Sequence, residues 1–171
     1  MRALLIGGGC RGLELARDLV AEGHAVRAVT RRPEARTRIE ASGCECWIGT
    51  PDVIGTLRYA LDNVTVLLWL LGTATGPAEQ VAALHGSRLR MMLDKTADTT
   101  VRGVVYEAAG TIDPAILAGG VEEVRRARRT NEIPYALVAA DPTDRAAWLG
   151  VARAAVDALL GARGGWGAAT G

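Results

Sequence analysis

The chain has 171 residues, a net charge of +1 and 49% hydrophobic residues. That length predicts one compact domain with enough apolar material for a real core. The near-neutral charge excludes a global pull toward nucleic acid or an anionic membrane, and the most apolar run, Val64–Leu71, is far short of the roughly 20 residues that span a bilayer.

The first strand is expected over Arg2–Ile6. It feeds into Gly7-Gly8-Gly9-Cys10-Arg11-Gly12, which fits G-x-G-x-x-G on Gly7, Gly9 and Gly12. A helix with Leu13, Ala16, Leu19 and Val20 on one face follows, and then a second strand over Ala25–Val29. Strand, glycine turn, helix and strand in that order form the frame of a dinucleotide site. Gly7 permits the tight turn. Gly9 lets the backbone approach a pyrophosphate, and Gly12 lets the helix pack close to the strand. The pyrophosphate is then held by the free N–H groups at the helix start, where Cys10 and Arg11 also lie.

The end of the second strand decides between cofactors. An NAD site carries an acid there to hold the ribose hydroxyls, whereas an NADP site replaces it and supplies arginine. Here the residues are Thr30, Arg31 and Arg32. The planar fork of a guanidinium suits a phosphate. NADP is therefore favoured, with NAD the alternative, and Arg11 is expected to face the same ribose.

Residues 33–43 are expected to form the second crossover helix, started by Pro33 and stopped by Gly43. Cys44–Ile48 reads as the third strand, and Val53–Leu61 has helical spacing. Val64–Leu71, apolar throughout, reads as a central strand covered on both faces. Helices are expected over Ala78–Leu84 and Ser87–Thr96, and a fifth strand over Val101–Tyr106. A helix over Pro114–Arg129, a strand over Pro134–Ala139 and a helix over Ala146–Leu160 complete the pattern. Gly161–Gly171 reads as a frayed tail. This alternation predicts an α/β doubly wound parallel sheet, a Rossmann fold of about six strands over residues 1–160. Ligands of such sheets bind beyond the carboxyl ends of the strands.

No metal site is expected, since Cys10, Cys44 and Cys46 form no C-x-x-C and His24 and His85 are not spaced as a ligand set. The cysteines read as thiols of a reduced, cytoplasmic protein. Ala3–Ile6 is too short an apolar run for a signal peptide.

With these motifs, about residues 1–140 resemble the short-chain dehydrogenase/reductase superfamily, and most of all its small atypical, epimerase-like members that bind NAD(P). The resemblance implies that Asp52 lies by the adenine, that Leu71, Gly72 and Thr73 line the riboses, and that the catalytic hydroxyl stands at the end of the fifth strand. This chain departs from the superfamily in its acid–base residues. Tyr59, Tyr106 and Tyr135 are followed four positions later by Asn63, Gly110 and Ala139, and the single lysine, Lys95, follows Met91. No Tyr-x-x-x-Lys pair exists, and Tyr106 and Glu107 stand where the family's serine would be.

Two functions fit. One is an NADP-dependent oxidoreductase acting on a small molecule, with Glu107 or Tyr106 as proton donor. The other is a non-catalytic sensor of NADP or redox state, which the short stretch after the sixth strand favours. The chain is expected to be a monomer or a homodimer, and the helices at 87–96 and 114–129 would carry the dimer contact.

Overall fold

The computed structural model describes residues 1–161. The expected tail therefore lies outside the described residues except for Gly161, which ends the last helix. Strand β1 (Arg2–Gly7) pairs in parallel with β2 (Ala25–Thr30) on one side and β4 (Val66–Leu70) on the other. With β3 (Glu45–Ile48), β5 (Gly103–Glu107) and β6 (Tyr135–Val138), the sheet runs β3-β2-β1-β4-β5-β6, all parallel. This is the strand order of the doubly wound dinucleotide-binding fold.

Side chains alternate across the sheet and build two cores. Leu5, Ala28, Leu68 and Val105 face α1 (Gly9–Ala21) and the last helix, α6 (Arg145–Gly161). Leu4, Ile6, Leu67, Trp69, Val104 and Tyr106 face the other layer, with Leu89, Met92 and Val124. That layer holds α3 (Ala78–His85), α4 (Ser87–Thr96) and α5 (Pro114–Asn131). All five residues of β4 are buried, as an apolar run between two layers requires.

Two expected helices are shortened. The second crossover is a 3-10 turn, Pro33–Ala35, followed by α2 (Arg36–Glu40), with Gly43 at φ +79° beyond it. Val53–Leu61 is not an α-helix but two 3-10 turns, Ile54–Leu57 and Tyr59–Leu61. Gly55 weakens any helix there. The buried Arg27 of β2 takes the carbonyls at the end of this segment. Its Nη1 donates to the Ala60 carbonyl at 2.5 Å and reaches those of Tyr59 and Asp62 at 3.4 and 3.3 Å. Its Nε lies 3.0 Å from Glu45 Oε2, an ion pair without hydrogen-bond alignment. Asn63, at φ +60°, turns the chain into β4.

β5 runs one residue further than expected, so Glu107 is the last residue of the strand and not the first of the loop.

The two helices named as dimer candidates are clasped to each other. Arg90 of α4 grips Glu123 of α5 at 3.0 and 2.5 Å, while Arg126 bridges Glu123 at 3.1 Å and Asp94 at 2.7 Å. Arg90, with Arg126 in support, holds the Glu123 carboxyl below the usual carboxylate range. A depressed folded-state pKa gives stability that is complete above the ordinary value of about 4.3 and is lost as pH falls through the folded value. The stability advantage of wild type over Glu123→Gln, read by urea unfolding, is therefore expected to shrink as pH is lowered from about 5 to about 3.

Candidate cofactor site

The glycine turn is forced by contact. A Cβ on Gly7 (φ +84°) would overlap the Leu70 carbonyl, and one on Gly12 would stand 2.8 Å from the Gly7 carbonyl oxygen. Gly12 thus seats α1 against β1. Gly9 differs from both, because the position a Cβ would take has no atom within 4 Å and opens on free space. Helix α1 starts there with no side-chain cap and no acid in its first turn. Its first internal bond is Gly12 N–H to Gly8 O at 2.9 Å. The amides of Gly9, Cys10 and Arg11 are left for a ligand or water, at the positive end of the helix.

Beside this turn, at the carboxyl edge of the sheet, lies a cavity of about 400 Å³, within the range of small-molecule sites. Of the expected cofactor residues, Gly7, Gly9, Thr30, Arg31, Arg32, Asp52, Leu71 and Thr73 line it. Thr75, expected with Thr73 near the reacting end, lines it too, and other residues join them, among them Arg38 of α2 and Leu84 of α3. The run Arg31-Arg32-x5-Arg38 was the available signal for Arg38. Among the described residues, Arg31, Arg32 and Arg38 have no carboxylate within 4 Å, although eleven such ion pairs form elsewhere. Their charge is left for an anion. The Thr30 hydroxyl accepts from the Arg32 amide at 3.1 Å and so shapes the turn that presents them.

The other expected residues lie elsewhere. Cys10 is exposed and does not line the cavity. Arg11 does not face the arginine end. It crosses to β5, where its Nη2 donates to Thr73 Oγ1 at 3.2 Å and Glu107 Oε1 at 3.3 Å, and its guanidinium lies 5.0 Å over Trp148. A buried carboxylate and an aromatic face both draw a guanidinium. Gly72 stands behind the cavity wall, where its amide donates to Glu107 Oε2 at 2.6 Å.

The expected proton donors are not at the cavity. Glu107 is fully buried, and the Trp148 indole N–H donates to its Oε1 at 2.7 Å. Three donors, from Gly72, Trp148 and Arg11, use its carboxylate as an acceptor. Tyr106 points to the opposite face, also fully buried, with its hydroxyl 2.7 Å from His85 Nδ1 and 3.2 Å from the Leu117 carbonyl. Burial, with Glu107 nearby, pushes its phenol well above the usual range. The loop after β5 is also kept out of the cavity. Gly110 packs backbone to backbone on Gly72 with no room for a side chain on either residue, and the Thr111 amide donates to the Gly72 carbonyl at 3.0 Å. Nothing near positions 106 and 107 in the sequence signals Trp148, the partner that closes this network.

Neither a family profile nor any curated protein matches the chain by sequence. Solved structures do match by shape. A short-chain dehydrogenase/reductase superfamily protein from Agrobacterium tumefaciens with bound NAD superposes at TM-score 0.66 and 19% identity, over 81% of this chain and 48% of that one. The chain has the fold of that superfamily. The UDP-glucose 4-epimerase of Thermotoga maritima, solved with UDP-glucose, gives TM-score 0.67 at 10% identity, over 81% and 55% of the two chains. Citrobacter sp. triphenylmethane reductase, complexed with NADP(H), gives 0.60 at 20%, over 81% and 48%. The chain spans about half the length of these proteins. No described helix is long and apolar enough to cross a membrane.

Proposed function

We propose that the protein binds NADP(H) and acts as an oxidoreductase of the atypical short-chain dehydrogenase kind on a small molecule. The observation that carries this reading is the cluster of Arg31, Arg32 and Arg38, without carboxylate partners, at the acid-free end of β2. In this reading the adenosine phosphate meets those arginines, Asp52 borders the adenine, and the pyrophosphate meets the amides of Gly9 to Arg11 over the open face at Gly9. The reduced nicotinamide, when bound, supplies a hydride. Leu71, Thr73 and Thr75 then border the reacting end, where, among the described residues, the cavity lining offers hydroxyls but no ionisable group. Such a site orients a hydride acceptor and leaves any proton to come from water, which favours cationic or quinoid acceptors over simple ketones. Three free thiols fit a reduced cytoplasmic setting.

The same lack of an ionisable group at that end supports a second reading, a non-catalytic NADP sensor. NADPH consumption followed at 340 nm against quinones, flavins, a cationic dye and aldehydes separates the two. Turnover with the first three classes and none with aldehydes is the expected result. Tight binding with no turnover on any of them selects the sensor.

A further inference from the structure

The carbonyl of Leu71 and the N–H of Gly72 belong to one peptide unit, and buried side chains hold both of its ends. His85 Nε2 lies 3.2 Å from the Leu71 oxygen, and Glu107 Oε2 accepts from Gly72 N–H at 2.6 Å. His85 is 1% exposed and Glu107 not at all. They come from opposite sides of the wall, His85 from the end of α3 and Glu107 from the end of β5. The peptide they grip opens the Leu71–Thr75 segment that lines the cavity away from the arginines.

We propose that His85 and Glu107 are positioning residues that clamp the Leu71–Gly72 peptide and so fix the wall against which the part of the dinucleotide beyond the pyrophosphate rests. This rests on the cofactor reading above and concerns one half of that site.

The clamp sets a hydrogen count. Only a ring carrying hydrogen on Nε2 can donate to the Leu71 carbonyl. Burial holds the His85 pKa below its ordinary value, so the ring is neutral near pH 7 and Nδ1 is then an acceptor. The Tyr106 hydroxyl has one hydrogen and two acceptors in reach, His85 Nδ1 at 2.7 Å and the Leu117 carbonyl at 3.2 Å; given along the shorter contact, it leaves the ring hydrogen on Nε2. Tyr106 therefore acts at one remove, through His85. At the other end, Trp148 and Arg11 occupy Oε1 of Glu107 and leave Oε2 for Gly72. The absence of a side chain at Gly72 is required as well, because a Cβ there would overlap the Ala109 carbonyl.

The test compares two ligands on the whole protein by calorimetry: NADPH, and adenosine 2′,5′-bisphosphate, which reaches the arginines and the glycine turn but not the Leu71–Thr75 wall. His85→Leu is expected to weaken NADPH by about fivefold or more, the effect of one net hydrogen bond, and to leave the bisphosphate unchanged. His85→Gln, which keeps an amide N–H for the Leu71 carbonyl, is expected to restore most of the loss. Equal weakening of both ligands, no weakening of NADPH, or a glutamine variant no better than leucine would each overturn the clamp while the cofactor reading stands. Failure of the wild-type protein to bind NADPH overturns both. A measurement on wild type guards against a variant that does not fold: ¹⁵N shifts of His85 are expected to report the Nε2–H tautomer, and an Nδ1–H tautomer overturns the proposal.

Discussion

NADP(H) is expected to bind at least tenfold more tightly than NAD(H), and Arg31→Ala is expected to remove most of that preference with little change in NAD(H) affinity. Each charge-assisted contact to the extra phosphate is worth ~1.5–3 kcal/mol, which for one contact already exceeds tenfold. Arg31, Arg32 and Arg38 line the same end of the cavity, so the residual preference after Arg31→Ala is expected to vanish when Arg38 is replaced too. Added salt weakens the NADP(H) arm more than the NAD(H) arm, because these exposed guanidiniums are screened. Calorimetry on both cofactors at two ionic strengths reads all of this, and equal affinities in wild type would remove the arginine cluster from cofactor choice.

Glu107→Gln is expected to destabilise the fold by about 3–5 kcal/mol, the usual cost of removing one partner from a buried ionic network. Gly72, Trp148 and Arg11 all donate to this carboxylate. A glutamine keeps one oxygen and turns an NH₂ toward donors that then have no acceptor. Urea unfolding measures the loss, with an unchanged slope if only the native state is affected. A catalytic acid predicts a different outcome, loss of turnover at unchanged stability. The two measurements made on one variant therefore discriminate between a brace and a proton donor.

The frame of the site could be read from the chain because its signals are local. A tight glycine turn, an apolar strand run and a Thr-Arg-Arg strand end each act within a few residues, and each led to the right element. What was missed depends on distant partners. The stretch Val53–Leu61 has helical spacing, yet it folds as two 3-10 turns, with the guanidinium of Arg27 on β2 seated on the carbonyls at its end. Arg11 sits in the turn as a phosphate ligand would, but a carboxylate 96 positions away draws it off. Glu107 reads as a loop residue until the extra strand residue and Trp148, 41 positions on, enclose it.

The contact of Gly72 on Gly110 governs how the protein tolerates change. Any side chain at either position strikes backbone, and backbone cannot rotate away as a side chain can. In a saturation library selected for NADPH binding, position 110 is therefore expected to be as intolerant as position 7, although only Gly7 borders the ligand cavity. Intolerance at Gly110 would trace the seam along which the loops after β4 and β5 are joined, and the library would need to change both loops together to widen the reacting end.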